Sequence, residues 1–482
     1  MGLRPQELRL GGVALCAALF TAVPNLLAAD ATAKPAAGDA KAAGQSDAEV
    51  LLNLFQKKGI ISSEDATEAR DALAHLHNEN SSSGSASKVH LPKWVESVTI
   101  GSDFRGRFEE QNAENQAYKA RDRFRYRLRA GAVFKLEGDF EIGVRLATGN
   151  PLTNPSGALV GGSATTANQD LNSLESRKFL WLDAAYARWT PIHSDDWTVS
   201  ATLGKMDNPF VLSNMIWDYD IVPEGGAIQV NYKINEAHTI KSTAAFFVLD
   251  EVNQPVKGFP TVDPNHDPYV LGGQSTLESK WNSKFSTTLG IAVFDIGAKD
   301  SVSAQIQPFY NSGNTRDASG FLAYNYNPIV GTASATYRLP GAPLYPGEFP
   351  IKVSGEFLNN PGAPSRNTAW RAGINFGKAG KKGAWEIAYR YQRLEADAWF
   401  DALVDDDNGG FYAAGNPQLA GTTKTSGWFG GTNVKGHQVQ ATYSFTDFLN
   451  FQFTYYLNEL IVNAPGQPSS AGHFMADLNW KF

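Results

Sequence analysis

From Lys93 onward the chain changes between apolar and polar residues at every second position. The clearest stretch is Arg121–Phe134, RDRFRYRLRAGAVF, in which Arg121, Arg123, Arg125, Arg127 and Arg129 alternate with Asp122, Phe124, Tyr126, Leu128 and Ala130. A period of two marks a strand and sends all five arginines to one face, leaving a largely aromatic and aliphatic row on the other. Either the dry face packs on a soluble core, or it meets lipid while the charged face lines a wet interior.

The same alternation predicts sixteen strands, at 95–109, 121–136, 139–149, 179–190, 196–206, 226–233, 238–249, 270–281, 284–297, 328–338, 350–358, 368–377, 383–394, 436–445, 449–458 and 472–482. Each is long enough to cross a bilayer at a tilt. Connections after even strands are mostly short, around Gly138, His193, Asn235, Asn282, Pro343, Ala379 and Thr446. Those after odd strands are mostly long, at 150–178, 207–225, 250–269, 298–327 and 395–435. Alternating short turns and long loops belong to a transmembrane barrel, and stacked soluble sandwiches have no reason to keep that parity.

Individual strands agree. Trp370, Ala372, Ile374 and Phe376 oppose Arg371, Gly373 and Asn375, and Trp385, Ile387, Tyr389 and Tyr391 oppose Glu386, Arg390 and Gln392. Val439, Ala441, Tyr443 and Phe445 oppose Gln438, Gln440, Thr442 and Ser444. An arginine on the lipid face near the bilayer midplane costs about 2–4 kcal/mol, so the row of five must face the lumen. The reading is an all-β, antiparallel transmembrane β-barrel of sixteen strands, with eighteen as the alternative, over residues 93–482. Its last strand, HFMADLNWKF, puts Phe474, Ala476, Leu478, Trp480 and Phe482 on one face. This resembles the C-terminal signal of bacterial outer-membrane proteins, which implies that Phe482 is read by the barrel-assembly machinery.

The first ninety residues read differently. Gly11–Ala29 is apolar, follows Arg4 and Arg9 and ends in small residues, as a cleaved secretory signal peptide does over residues 1–29. Residues 30–46 and the Ser-rich 78–92 are linkers. Between them, residues 47–77 form a short α-helical hairpin. Val50, Leu51, Leu54 and Phe55 fall at helical spacing before Gly59, and Ser62 with Asp65 caps a second stripe of Ala66, Ala69, Leu73 and Leu76. The hairpin is either a periplasmic self-association or tethering module, or an appendage with no partner.

Composition narrows the picture further. A chain of 482 residues with 45 glycines and 12% aromatics suits one large barrel or two to three soluble domains. Its only cysteine, Cys16, lies in the signal segment, so disulfides and thiolate chemistry are not expected in the mature protein. Signal removal takes Arg4, Arg9 and Glu7, one net positive charge, from a chain at −7, leaving about −8. An acidic balance does not suggest nucleic acid. No H-E-x-x-H or G-x-S-x-G occurs, and Gly373–Lys378 (GINFGK) is one residue short of a phosphate loop. Asp401, Asp405, Asp406 and Asp407 miss calcium-loop spacing and read as a solvated external tip that bridges divalent cations only as a lesser alternative. Asp263, His266 and Asp267 read as a Pro-rich turn. No cofactor, metal site or catalytic residue is expected.

The strings RDRFRYRLRAGAVF, RLATGNP (145–151), FLWLDAAYARW (179–189), GKMDNPF (204–210) and WDYDIVPEGGA (217–227), with the helical segment at 51–69, resemble the putative porin family of Gram-negative outer membranes. GKMDNPF is also loosely similar to phosphate-selective porins, but the loops lack the basic residues of a phosphate collector. The resemblance implies an outer-membrane passive diffusion channel for small hydrophilic or charged solutes, a homotrimer by analogy, embedded in lipid and lipopolysaccharide. In general porins the third external loop folds inward. Here that loop, Asp207–Gly225, carries Asp207, Asp218, Asp220 and Glu224. They would face a basic ladder of Arg105, Arg107, Arg123, Arg125, Arg127, Arg129 and Arg145 across a constriction with a transverse field. The plainer expectation is a salt-bridge belt in which Asp103, Glu109 and Glu141 neutralise the arginines, under an ordinary external loop. The competing classes are an outer-membrane anchor or adhesin, for which residues 30–92 are a short passenger, a barrel enzyme, and a soluble periplasmic β-protein.

Overall fold

In a computed structural model that describes residues 91–153, 159–251, 267–302, 313–421 and 424–482, alternation is converted into a closed wall. The sixteen strands are β1 (Val95–Ala113), β2 (Arg121–Leu136), β3 (Phe140–Thr148), β4 (Leu180–His193), β5 (Trp197–Lys205), β6 (Glu224–Lys233), β7 (His238–Val248) and β8 (Tyr269–Lys280), then β9 (Phe285–Gly297), β10 (Ile329–Leu339), β11 (Phe349–Asn359), β12 (Thr368–Gly377), β13 (Trp385–Leu394), β14 (Val434–Ser444), β15 (Leu449–Leu460) and β16 (Ala471–Lys481). Each pairs antiparallel with the next. β16 then pairs with β1 from Asp103↔Lys481 to Ala113↔Ala471, so no edge is left open. Phe482 continues this seam: its backbone N–H donates to Ser102 at 3.0 Å and its carbonyl accepts from the Ser102 N–H at 2.7 Å. The signal segment with Cys16, the linker at 30–46, the helical hairpin, residues 78–90 of the Ser-rich linker, Asp263 and His266 lie outside the described residues.

The short-turn end is tight. Between β2 and β3, Gly138 (φ 79°) and Asp139 (φ 64°) are both left-handed, a conformation that glycine adopts freely and aspartate tolerates. Around this rim aromatic rings pair across strands, Phe140 on Trp189 with centroids 5.6 Å apart and Trp197 on Tyr232 at 4.3 Å. Amphipathic rings of this kind form the interfacial girdle of membrane barrels. Above the rim the outer wall is apolar, with Leu146, Leu182, Leu203, Ile228, Leu271, Ile291, Val353 and Ile387 all exposed.

Toward the long-loop end, alternation breaks down on one side of the barrel. On β7 to β11 the inward residues Phe247, Val270, Phe294, Ile296, Val330 and Leu358 are apolar and buried, although the outward ones are apolar too. Two connections fold inside and cover them. Met215, Ile216 and Trp217 from the loop between β5 and β6, and Trp399, Phe400, Leu403 and Val404 from the loop between β13 and β14, join these strand residues in one core. The Trp399 indole donates to the Ile216 carbonyl at 2.7 Å and ties the two loops together. The aspartate run expected as a solvated tip is therefore placed differently. Asp401 is only 3% exposed and Asp405 8%. Asp401 forms a fully buried ion pair with Arg316 at 3.1 Å. The reason is the neighbouring Trp399–Val404 run, whose burial carries the aspartates inward.

Candidate pore lining

The pairing of β1 with β2 sets Arg105 opposite Arg127 and Arg107 opposite Arg125, an arrangement of like charges that repels unless anions intervene. They do intervene, from wall and loops alike. Asp103, opposite Arg129, accepts from Arg127 at 2.9 Å and from Arg129 at 2.8 Å. Glu109 pairs with Arg123 and, at 3.1 Å, with Arg125. Asp477 on β16 takes Arg107 in a two-pronged bond of 2.7 and 2.8 Å. Arg145 on β3 pairs with Asp183. Glu141 instead pairs with Arg188 at 3.4 Å, away from the row.

Three loops add further partners, carboxylates for Arg107, Arg125, Arg127 and Arg145 and a neutral amide for Arg105. From the loop between β3 and β4, the Asp170 carboxylate lies 2.7 Å from Arg125 as an ion pair, and the Asn168 side chain accepts from Arg105 at 2.7 Å. From the loop between β5 and β6, Asp220 reaches Arg127 at 3.1 Å and Asp207 reaches Arg145 at 2.6 Å. From the loop between β13 and β14, Asp407 reaches Arg107 at 3.3 Å. Of the four acidic residues grouped in Asp207–Gly225, only Asp207 and Asp220 touch the arginines. Asp218 is 5% exposed and turns instead toward Asp405 and Asp406, their carboxylate oxygens within 4.8 Å of one another. Glu224 opens β6 and pairs with Lys205 at 2.9 Å. Its place follows from register, which sets Glu224 opposite Lys205 at the mouth of the β5–β6 ladder.

The β5–β6 connection spans the lumen. While Asp220 binds β2, Ser213 donates through its backbone to Glu356 on β11 at 3.2 Å, and the Val211 N–H donates to Gln274 on β8 at 2.7 Å. Asn214 accepts a hydrogen bond from Arg371 on β12. A segment fixed to β2 on one wall and β11 and β12 on another must lie across the interior, because these strands are far apart around a ring of sixteen.

Burial and mutual repulsion set the loop carboxyls. Burial first, then Asp406 and Asp405, pushes Asp218 well above the usual carboxylate range. Burial with Asp407 raises Asp405 to about 7 and Asp406 to about 8. Asp407 is held below the ordinary range despite its burial, because Arg107 and His473 lie beside it.

Residues 112–322 match the family described as putative porin. No curated protein matches the chain in sequence. Among solved structures, the high-pH structure of Pseudomonas putida OprB is 12% identical, with 80% of this chain and 94% of that chain covered and a TM-score of 0.47. Two mutants of Rhodopseudomonas blastica porin are 12% and 11% identical, with 80% of this chain and 100% of those chains covered and TM-scores of 0.39 and 0.37.

Proposed function

We propose that this chain, with residues 112–322 matching the putative porin family, is a passive diffusion channel of a Gram-negative outer membrane, admitting small hydrophilic or charged solutes. The family match points to a channel rather than an enzyme, and the closed barrel of sixteen strands supplies a lumen of porin width. The observation that carries the reading is the inner lining. Arginines, carboxylates and amides face inward along β1, β2, β3 and β12 to β16, and an apolar band faces outward.

In this reading Arg105, Arg107, Arg123, Arg125, Arg127, Arg129 and Arg145 form one wall of the passage. Asp207 and Asp220, on the segment between β5 and β6, set its width against them, and Asp218 holds that segment to the loop between β13 and β14. Glu224 stands outside the narrowing. The subunit works as a homotrimer in lipid and lipopolysaccharide after delivery by the barrel-assembly machinery, with Phe482 in the assembly signal.

Reconstitution of the folded protein into planar bilayers tests the channel directly. Stepwise, ohmic conductance is expected, with a reversal potential in a KCl gradient that reports ion preference. Folded protein that inserts and leaves the bilayer electrically silent would sink the proposal.

A further inference from the structure

A cavity of about 410 Å³ lies between Val211–Asn214 and the inner faces of β9 to β16, touching the arginine wall at the Arg107–Asp407 pair. It contains cations in a different state from those of β2. Arg371 donates to the side-chain oxygens of Asn214 and, at 3.0 Å, Gln438. Arg390 donates through Nη1 to the same Gln438 oxygen at 3.3 Å and to Gln440 at 3.0 Å. All of these acceptors are neutral amides. Among the described residues neither guanidinium forms an ion pair, whereas Arg123, Arg125, Arg127 and Arg129 each have a carboxylate.

The carboxylates nearest to this pair are engaged elsewhere. Glu356, directly opposite Arg371 across the β11–β12 ladder, accepts from the Ser213 N–H and hydroxyl. Asp405 accepts from Asn214 and, at 3.1 Å, from the Tyr456 hydroxyl. Glu386 accepts from Asn375 at 2.6 Å. The bridging amide is itself oriented, since its Nε2 donates to the Tyr456 hydroxyl at 2.9 Å and so aims its oxygen at both guanidiniums. Opposite Arg390 stands Gly373, where an added methyl would come 3.1 Å from Arg390 Cγ and push the side chain aside. Lys352, exposed and without an ion pair among the described residues, lines the same cavity.

We propose that Arg371 and Arg390, bridged by the Gln438 amide oxygen, form an anion station inside the channel for small carboxylates that carry hydroxyl groups. A neutral bridge holds two cations close without cancelling them. The Nε and Nη2 groups of Arg390 and the Nε of Arg371 have no hydrogen-bond acceptor among the described residues, which suits a two-oxygen ligand. Thr288, Thr332, Ser334 and Thr454 supply hydroxyls around the rest of the cavity for a polyhydroxy body. The passage then has, among the described residues, a wall at β1 and β2 on which carboxylates pair every arginine but Arg105, and one at β12 and β13 on which no carboxylate pairs Arg371 or Arg390 and which sets ion preference.

The inference rests on the channel reading, and one set of recordings separates the two. Wild-type protein, Arg371→Gln/Arg390→Gln and Gln438→Glu are compared in planar bilayers, with gluconate as the probe and glucose as the neutral control. The wild type is expected to prefer anions, and gluconate, unlike glucose, to reduce its single-channel KCl current. Both variants should move the reversal potential toward cations and raise the half-blocking gluconate concentration by about tenfold or more, the scale of one charge-assisted hydrogen bond. Gln438→Glu keeps the bridge's shape while cancelling charge, so it carries the test if the double variant does not fold, folding being read from heat-modifiable migration. A silent wild type overturns the channel reading. A conducting wild type whose folded variants keep its reversal potential and gluconate block overturns the station alone.

Discussion

At the scale of single residues, the decisive question for each guanidinium is what neutralises it. Glu109 is fully buried between Arg123, Arg125 and His473, the last with Nε2 at 3.5 Å. Replacing it by glutamine keeps the shape and removes the charge on which two arginines depend, and breaking one partner of a buried pair costs about 3–5 kcal/mol. Glu109→Gln should therefore lower the temperature at which the folded band converts on a heat-modifiability gel, and an unchanged conversion temperature would show that Asp170 suffices for both arginines. The arginine row was legible in the sequence because period two is a local property. Its partners Asp170, Asp407 and Asp477 were not, since pairing across 300 or more residues, as for Arg107 with Asp407 and Asp477, has no local signature.

At the scale of elements, the loops carry the surprises. The strands alternate and so announce themselves, yet Trp399–Val404 gives no periodic cue to its burial against Phe294 and Trp217. The nearest signal was negative: Ala292, Phe294 and Ile296 make the inner face of β9 apolar, and an apolar inner face needs a cover. Where the two loops meet, Asp218, Asp405 and Asp406 are all raised above the usual carboxylate range. The docked loops thus hold protons that undocked loops would release, and docking weakens with rising pH. It is at full strength below about pH 4, the ordinary carboxyl value, and falls through the interval up to about 8, the value reached by Asp406. The Asp407–Arg107 pair opposes this only in stronger acid. Limited proteolysis of the 395–433 connection should accelerate between pH 5 and pH 8.5, and Asp406→Asn should flatten that dependence. Equal cleavage at both pH values in the wild type would mean that these carboxyls do not govern docking.

At the scale of the whole molecule, sidedness sets what each position tolerates. Ile291 lies midway along β9 on the outer wall and is 58% exposed, whereas Thr288 lines the inner cavity. Ile291→Arg should cost about 2–4 kcal/mol in refolding into lipid vesicles, and Thr288→Arg about 0.5 kcal/mol or less. Equal costs at the two sites would contradict a lipid-facing exterior.

The sequence alone determined an antiparallel barrel of about sixteen strands and, where alternation holds as on β2, β12, β13 and β14, which face is wet, because side-chain direction in a strand is set by the backbone repeat. Tertiary structure decided what fills the interior. Whether an inward arginine meets a carboxylate, as Arg127 meets Asp103 and Asp220, or only an amide, as Arg390 meets Gln438 and Gln440, depends on which loop folds over it and how strands meet around the ring. Those are long-range contacts, fixed by apolar burial of the loops and by closure of β16 on β1, and no stretch of neighbouring residues contains them.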